Sequence, residues 1–98
     1  MEDINTITRI LVFPTTNSLD CWFNYITRIL MHDIKFVKAY KASRMILVKN
    51  NCLRFATRNE SLVRHTRGLR DYKIYHNIEN ELENDFAGTI KKLLGGLI

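Results

Sequence analysis

The sequence predicts a small single-domain α/β protein, with one sheet, a β-hairpin and two packed helices in the order β-α-β-β-β-β-α. Short apolar runs rich in strand-forming residues alternate with two segments of helical periodicity. A length of 98 residues suits one domain with one shared core, spanning residues 1–98. The chain is 46% hydrophobic and 26% charged, which is ordinary for a globular protein and argues against disorder.

The first predicted strand spans residues 7–13, where apolar side chains form a short run, and a helix follows it. Pro14 ends the strand, and the side chains of Asn17 and Ser18 are candidates to accept the first free amides of the helix. Asp20 is expected in the first turn, where the helix dipole favours negative charge. The apolar side chains then follow one helical stripe: Leu19, Trp22, Phe23, Ile26, Ile29 and Leu30.

A second strand is predicted over residues 34–37, and a hairpin joins residues 44–49 to residues 52–57. Asn50 and Asn51 are expected to form its two-residue loop, because asparagine tolerates the positive φ that such loops demand. This register pairs Val48 with Leu53 and Ile46 with Phe55. One face of the hairpin then carries only apolar side chains, and a slip of one residue would destroy that sorting, so the pairing is well specified.

The rest of the chain is predicted to hold a loop, a strand and a helix. Residues 58–71 are polar and basic without a clear period, which indicates a loop with at most one helical turn. A strand is predicted over residues 72–78 and a helix from about 79 to 94, with carboxylates at its start and lysines at its end. The apolar C-terminal residues either complete the core, which we favour, or mediate a homodimer: Leu93, Leu94, Leu97 and Ile98.

Cysteine usage and hydropathy bear on the compartment. Cys21 and Cys52 are too few for a disulfide scaffold and have no CxxC companion, so we expect reduced, semi-buried thiols in a cytoplasmic protein. Residues 1–8 contain Glu2 and Asp3 and no apolar core, so no signal peptide is predicted. The longest apolar run falls far below the roughly 20 residues of a membrane span. We expect a soluble protein without a membrane partner.

The formal net charge of +5 is concentrated in the middle of the chain. Between Lys35 and Lys73 there are eleven lysines and arginines and two carboxylates, a net charge of +9, whereas each flanking segment has a net charge of −2. Such a field draws an anionic partner, although it can also serve only to keep the protein soluble. The residues predicted to contact the anionic partner are Arg54, Arg58, Arg64, Arg67, Arg70 and Lys73.

Three tyrosines in or next to this basic segment could either bind nucleic-acid bases or serve only as sheet residues. Tyr40, Tyr72 and Tyr75 can stack against nucleic-acid bases, but an ordinary role within the sheet is the favoured one.

The sequence contains no pattern typical of a catalytic or metal site. The three histidines, His32, His65 and His76, are widely spaced and form no metal-ligand motif. No glycine-rich phosphate loop is present, and nothing local supports a Cys–His dyad. We therefore predict no catalytic residue, no metal and no cofactor, and expect that the protein is not an enzyme.

Two stretches resemble part of the ATPase core of large terminases and helicases. Residues 9–30, RILVFPTTNSLDCWFNYITRIL, resemble its strand, Pro-Thr turn and helix, and residues 43–79 resemble its hairpin, Arg-Gly turn and next strand. The nucleotide loop of the family would precede Arg9, where residues 1–8 cannot supply it, and its acidic pair corresponds to His76 and Asn77. Arg67 and Gly68 match the Arg-Gly turn without an implied catalytic role. The resemblance implies a piece of such a core without ATP chemistry, associated with viral or phage DNA handling.

Three functions are compatible with these observations. The leading one is a small basic accessory protein of phage or viral type, in the host cytoplasm, whose hairpin and loop engage nucleic acid or a nucleoprotein machine. The second is an inhibitor or adaptor that binds a nucleic-acid enzyme of the host, as antagonists of host defence do. The third is a degenerate ATPase-like module. The first two require that the basic side chains converge on one exposed side of the fold.

Overall fold

The computed structural model describes residues 7–33, 36–49, 51–57 and 72–94, and eight elements lie within them. In chain order they are β1 (Ile7–Phe13), α1 (Thr16–Leu30), β2 (Phe36–Tyr40), β3 (Met45–Val48), β4 (Asn51–Thr57), β5 (Tyr72–Tyr75), α2 (Ile78–Asn84) and α3 (Phe86–Leu93). The predicted α/β class is confirmed, with three helices among the described residues where two were predicted.

The five strands form one mixed sheet in the order β2-β3-β4-β1-β5. β1 lies between β4 and β5 and runs parallel to both, whereas β2 and β3 extend the sheet by antiparallel pairing. Parallel pairing on both sides buries β1 after Ile7, and this explains the continuous apolar run over residues 10–13.

The main core lies between one face of the sheet and the helices. All three helices contribute their buried side chains to this cluster, together with Leu11 and Phe13 of β1. The rings of Phe13 and Phe55 are stacked with their centroids 5.7 Å apart, and the ring of Phe23 meets Phe55 edge-on at 5.2 Å. We call this side of the sheet the helix face. The opposite side, the second face, has a smaller buried cluster of Ile10, Val12 and Ala56.

The hairpin has a different loop from the predicted one. Val48 pairs with Asn51 and Ile46 with Leu53, so the loop lies between Val48 and Asn51, and the predicted register is wrong. Lys49 itself adopts a positive φ of 47°, which leaves Asn51 free to begin β4. Moving the loop by one residue shifts the partners by two, and two is the side-chain period of a strand. The predicted sorting is therefore confirmed: Ile46, Val48, Leu53 and Phe55 all lie buried on the helix face.

The first helix starts two to three residues earlier than its predicted caps imply. Thr15 is the N-cap, and its hydroxyl oxygen accepts a hydrogen bond from the amide of Ser18 at 3.1 Å. Asp20 thus lies beyond the first turn, where it pairs with Arg44 at 2.5 Å instead of with the helix dipole. The predicted strand over residues 34–37 is also displaced, since β2 spans Phe36–Tyr40.

The single predicted C-terminal helix consists of two helices. The chain leaves the helical conformation at Asp85, whose side chain then caps α3 by accepting a hydrogen bond from the amide of Gly88 at 3.0 Å. Ile78 was predicted to end the last strand, but it begins α2 and is fully buried. Leu93 and Leu94 lie in the core, as favoured, and residues 97 and 98 lie outside the described part of the chain.

Three further predictions concern the loop, the thiols and the membrane. The predicted loop over residues 58–71 lies outside the described residues. Cys21 and Cys52 are both free thiols, but Cys21 is exposed and Cys52 is buried, so neither is semi-buried. Of the helices described, none combines the length and the apolar character needed to cross a membrane.

Candidate functional site

The carboxylates of the described residues lie outside the strands, whereas cationic side chains occur in both the strands and the helices. The five strands contain four cationic side chains and no carboxylate: Arg9, Lys38, Arg54 and Lys73. The carboxylates of the described residues lie in the helices and in the turns beside them: Asp20, Asp33, Glu79, Glu81, Glu83 and Asp85. The described strands therefore carry only positive charge, whereas the helices carry Arg28, Lys91 and Lys92 beside their carboxylates.

Two of the six predicted contact residues lie in the sheet, and they occupy opposite faces. Arg54 pairs in register with Ile10, whereas Lys73 pairs with Arg9. Ile10 and Arg9 are neighbours in β1, and successive side chains of a strand point to opposite sides. The structure therefore does not bring Arg54 and Lys73 together, and the predicted convergence of the basic side chains on one side of the fold is wrong for these two residues. The other four predicted residues lie outside the described part of the chain: Arg58, Arg64, Arg67 and Arg70.

Arg54 belongs to one of two rows of side chains that cross the second face from β2 to β5. The first row is Tyr40, Met45, Arg54, Ile10 and Ile74, and the second is Lys38, Leu47, Cys52, Thr8 and Tyr72. The centre of these rows is buried at β1, but the part on β2, β3 and β4 is accessible to different degrees. We call this part the hairpin surface, and its accessible members are Lys38, Tyr40, Met45, Leu47 and Arg54.

Arg54 lies in the middle of the second face, and one of its nitrogen atoms makes no hydrogen bond. Its Nε is buried and has no hydrogen-bond partner. A buried donor without an acceptor costs about 1–3 kcal/mol. Arg54 also affects its neighbour on the same face, Cys52. Burial raises the pKa of the Cys52 thiol, although a hydrogen bond and the positive charge of Arg54 act in the opposite direction.

Lys38 and Tyr40 form the outer edge of the hairpin surface. The Nζ atom of Lys38 lies 5.1 Å from the centroid of the Tyr40 ring, a cation–π arrangement. Of the other tyrosines considered for base stacking, Tyr72 lies at the far end of the Lys38 row and Tyr75 lies on the helix face. Lys38 was not among the predicted contact residues. The sequence does indicate that Lys38 lies near Tyr40, because a separation of two residues places both side chains on one side of a strand.

A groove between α1 and the C-terminal helices is a second feature that the sequence did not predict. Its volume is about 520 Å³, and it is lined by Cys21, Trp22, Tyr25, Leu82, Glu83 and Phe86. The rings of Trp22 and Phe86 are stacked at 6.2 Å, and Tyr25 meets Phe86 edge-on at 5.1 Å. Tyr25 is nevertheless 48% exposed. The sequence indicates this side of α1 only through the four-residue spacing between Cys21 and Tyr25, which places both side chains on the same side of the helix.

The carboxylate of Glu79 fixes one wall of this groove. Its Oε2 accepts a hydrogen bond from Nε1 of Trp22 at 3.2 Å and another from the hydroxyl of Ser18. These bonds tie α2 to α1 and hold the indole ring in place, so the groove is a defined feature of the helix layer.

The described residues contain no group of three or more histidine, cysteine, aspartate and glutamate side chains able to hold a metal ion. No protein-family model, no curated protein and no solved structure matches the chain. The resemblance to terminase and helicase cores therefore stays a prediction from the sequence.

Proposed function

We propose that the protein is a non-catalytic nucleic-acid-binding protein that contacts its ligand through the hairpin surface. The observation that carries this proposal is the sheet with four cations and no carboxylate, two of whose cations lie on the accessible part of the second face. Phosphates concentrate near such a layer, because no negative side chain of the strands opposes their approach. The viral or phage origin and the host cytoplasm remain predictions of the sequence alone.

The side chains of the hairpin surface suit different parts of a nucleotide. Lys38 and Arg54 offer charged donors to phosphate oxygens. Tyr40 offers a ring on which a base can stack, with Met45 and Leu47 as apolar neighbours. Stacking requires bases that are free of a duplex, so we propose a single-stranded segment as the ligand.

A second candidate function is favoured by the aromatic groove. Tryptophan and tyrosine are enriched among the residues that dominate the binding energy of protein interfaces, and Trp22 and Tyr25 both line the groove. Glu83 lines it too, and Glu79 lies against the Trp22 indole. The fitting partner is a protein segment with apolar side chains next to lysine or arginine. An inhibitor or adaptor of a nucleic-acid enzyme would use the groove in this way.

Fluorescence anisotropy with labelled single-stranded DNA and RNA, recorded over a series of salt concentrations, tests the leading proposal. We expect affinity to fall steeply with salt, and Lys38→Gln and Arg54→Gln to weaken binding of every sequence and to reduce the salt slope by about one each. Lys91→Gln is the matched control, because Lys91 is exposed on α3 in the helix layer. Salt-insensitive binding, or equal losses from all three substitutions, would contradict the proposal.

The same variants separate the two candidate functions in a co-purification experiment with and without nuclease. A protein partner that survives nuclease, persists with Lys38→Gln and is lost with Tyr25→Ser supports the groove as the main binding site. Material that disappears with nuclease and with Lys38→Gln supports the hairpin surface.

A further inference from the structure

We propose that the helix face of the sheet contains a binding site for a phosphate group, formed by Arg9 and Lys73 with Tyr75 beside them. This site lies on the opposite side of the sheet from the hairpin surface and is independent of the proposed nucleic-acid contact. The site combines a buried guanidinium that has neutral partners with a second cation beside it.

The side chain of Arg9 projects from β1, the strand between β4 and β5, and the residue is only 9% exposed. Its partners among the described residues are neutral. Nη1 donates to the hydroxyl oxygen of Tyr75 at 2.6 Å, and Nε donates to Oδ1 of Asn51 at 3.4 Å. Burying a charge is costly unless it is paired, and neutral acceptors compensate a guanidinium only in part.

A second cation lies directly beside Arg9 instead of a counter-ion. Lys73 is the in-register partner of Arg9 across the β1–β5 pair, so both side chains point to the helix face from strands about 4.8 Å apart. Like charges at such positions repel each other. Neither of the two ion pairs formed between described residues includes Arg9 or Lys73. A bound anion would relieve both the repulsion and the burial of the Arg9 charge.

The donors of the site favour a phosphate over a simple halide. Arginine presents a planar fork of N–H groups that matches two oxygens of a phosphate, and lysine adds a mobile ammonium group that can reach a third. The hydroxyl of Tyr75 accepts from Arg9 and keeps its own proton free to donate. The phosphate can belong to a small metabolite or to a nucleic-acid backbone, since the site would contact the same oxygens in both.

Thermal unfolding of the full chain in inorganic phosphate, against sodium chloride at equal ionic strength, tests the site. We expect phosphate to raise the Tm saturably, because a ligand that binds only the native state stabilises it. Lys73→Gln should weaken phosphate affinity by about tenfold, the loss expected for one hydrogen bond to a charged group. Lys91→Gln should leave the affinity unchanged. Titration with a phosphate monoester and with a single-stranded oligonucleotide then distinguishes the two sources.

Equal Tm values in phosphate and chloride, or a Lys73→Gln variant with the affinity of the unmodified chain, would overturn the proposal. Lys73 is exposed, so this variant is expected to fold normally, whereas Arg9→Gln removes a buried side chain and can fail to fold. This test is independent of the proposed nucleic-acid contact at the hairpin surface, because Lys38→Gln and Arg54→Gln should leave phosphate binding at Arg9 and Lys73 intact.

Discussion

The two thiols of the chain differ in reactivity because they lie in different surroundings. Cys21 is exposed on α1 at the edge of the groove, and Cys52 is 5% exposed on the second face beside Arg54. Burial disfavours the thiolate and raises the pKa of Cys52, and this effect outweighs the opposite influence of the Arg54 charge. Since the thiolate is the reactive species, the two cysteines should be distinguishable in the native protein.

We predict that the native protein at pH 8 reacts with an aromatic disulfide reagent in two phases of one thiol each. The fast phase belongs to Cys21, and the slow phase belongs to Cys52, because burial shields the Cys52 thiol and raises its pKa. The release of the coloured thiol measures both phases. Cys21→Ser should remove only the fast phase and Cys52→Ala only the slow one. Two fast thiols in the native protein would show that Cys52 is accessible.

At single residues, the sequence predicted burial better than it predicted capping. The stripe of α1 was predicted correctly for Leu19, Phe23, Ile26 and Leu30, because helical spacing alone decides which side chains share a face. The N-cap was wrong, because Thr15, Asn17 and Ser18 are all good caps and the choice depends on where tertiary packing starts the helix. Arg9 was not predicted as a site residue, since its neighbours Asn51 and Tyr75 come from distant strands.

Among the elements, the hairpin shows which part of a strand pairing the sequence determines. The requirement that one face carry only apolar side chains fixed the faces of β3 and β4, and both remain as predicted. The predicted loop position was wrong by one residue. Any register shifted by two residues places the same side chains on the same faces, so the faces alone do not determine the loop. Turn preference then had to decide, and it favoured Asn51 over Lys49 for the loop. The structure instead gives Lys49 the left-handed backbone conformation.

We predict that Lys49→Gly stabilises the protein by about 0.5–1 kcal/mol. A side chain at positive φ costs about 1–2 kcal/mol, and part of the relief is lost because glycine adds about 0.4–1 kcal/mol of freedom to the unfolded chain. Chemical denaturation measures the change. Arg44→Gly is the informative comparison: Arg44 has a φ of 53° but pairs with Asp20, so glycine there should bring a smaller gain or none. Lys49→Ala should bring no gain, and a less stable Lys49→Gly would contradict the prediction.

The C-terminal helices illustrate the limit of periodic patterns. Ile78, Leu82, Ile90 and Leu93 are all buried, as a single helix or two successive helices would allow. The break at Asp85 depends on its side chain accepting a hydrogen bond from the Gly88 amide, which competes with continued helix. From the sequence alone, Asp85 can be identified as a possible N-cap, but whether the helix breaks there cannot be predicted. The predicted helix was therefore correct in its helical conformation and wrong in its continuity.

For the whole molecule, the separation of charge into a cationic sheet and a helix layer with the carboxylates gives the described structure a polarity. The sequence predicted a concentration of positive charge along the chain but not its arrangement in space, because strands that are distant in sequence supply the four cations of the sheet. The field of such an arrangement orients an approaching polyanion before any contact forms. Lysines in the two layers should consequently respond differently to the same polyanion.

We predict that a single-stranded oligonucleotide protects Lys38 from acetylation and leaves Lys91 unprotected. Both residues are exposed, but Lys38 lies on the second face of the sheet over the Tyr40 ring, whereas Lys91 lies on α3 across the sheet from it. Mass spectrometry after brief treatment with an acetylating reagent measures both rates in one sample. At low salt the Lys38 rate should fall several-fold on addition of the oligonucleotide, and at high salt the protection should vanish as counter-ions compete for the phosphates. Arg54→Gln should reduce the protection of Lys38 without changing the rate at Lys91. Equal protection of the two lysines would show that the polyanion coats the molecule without regard to its layers.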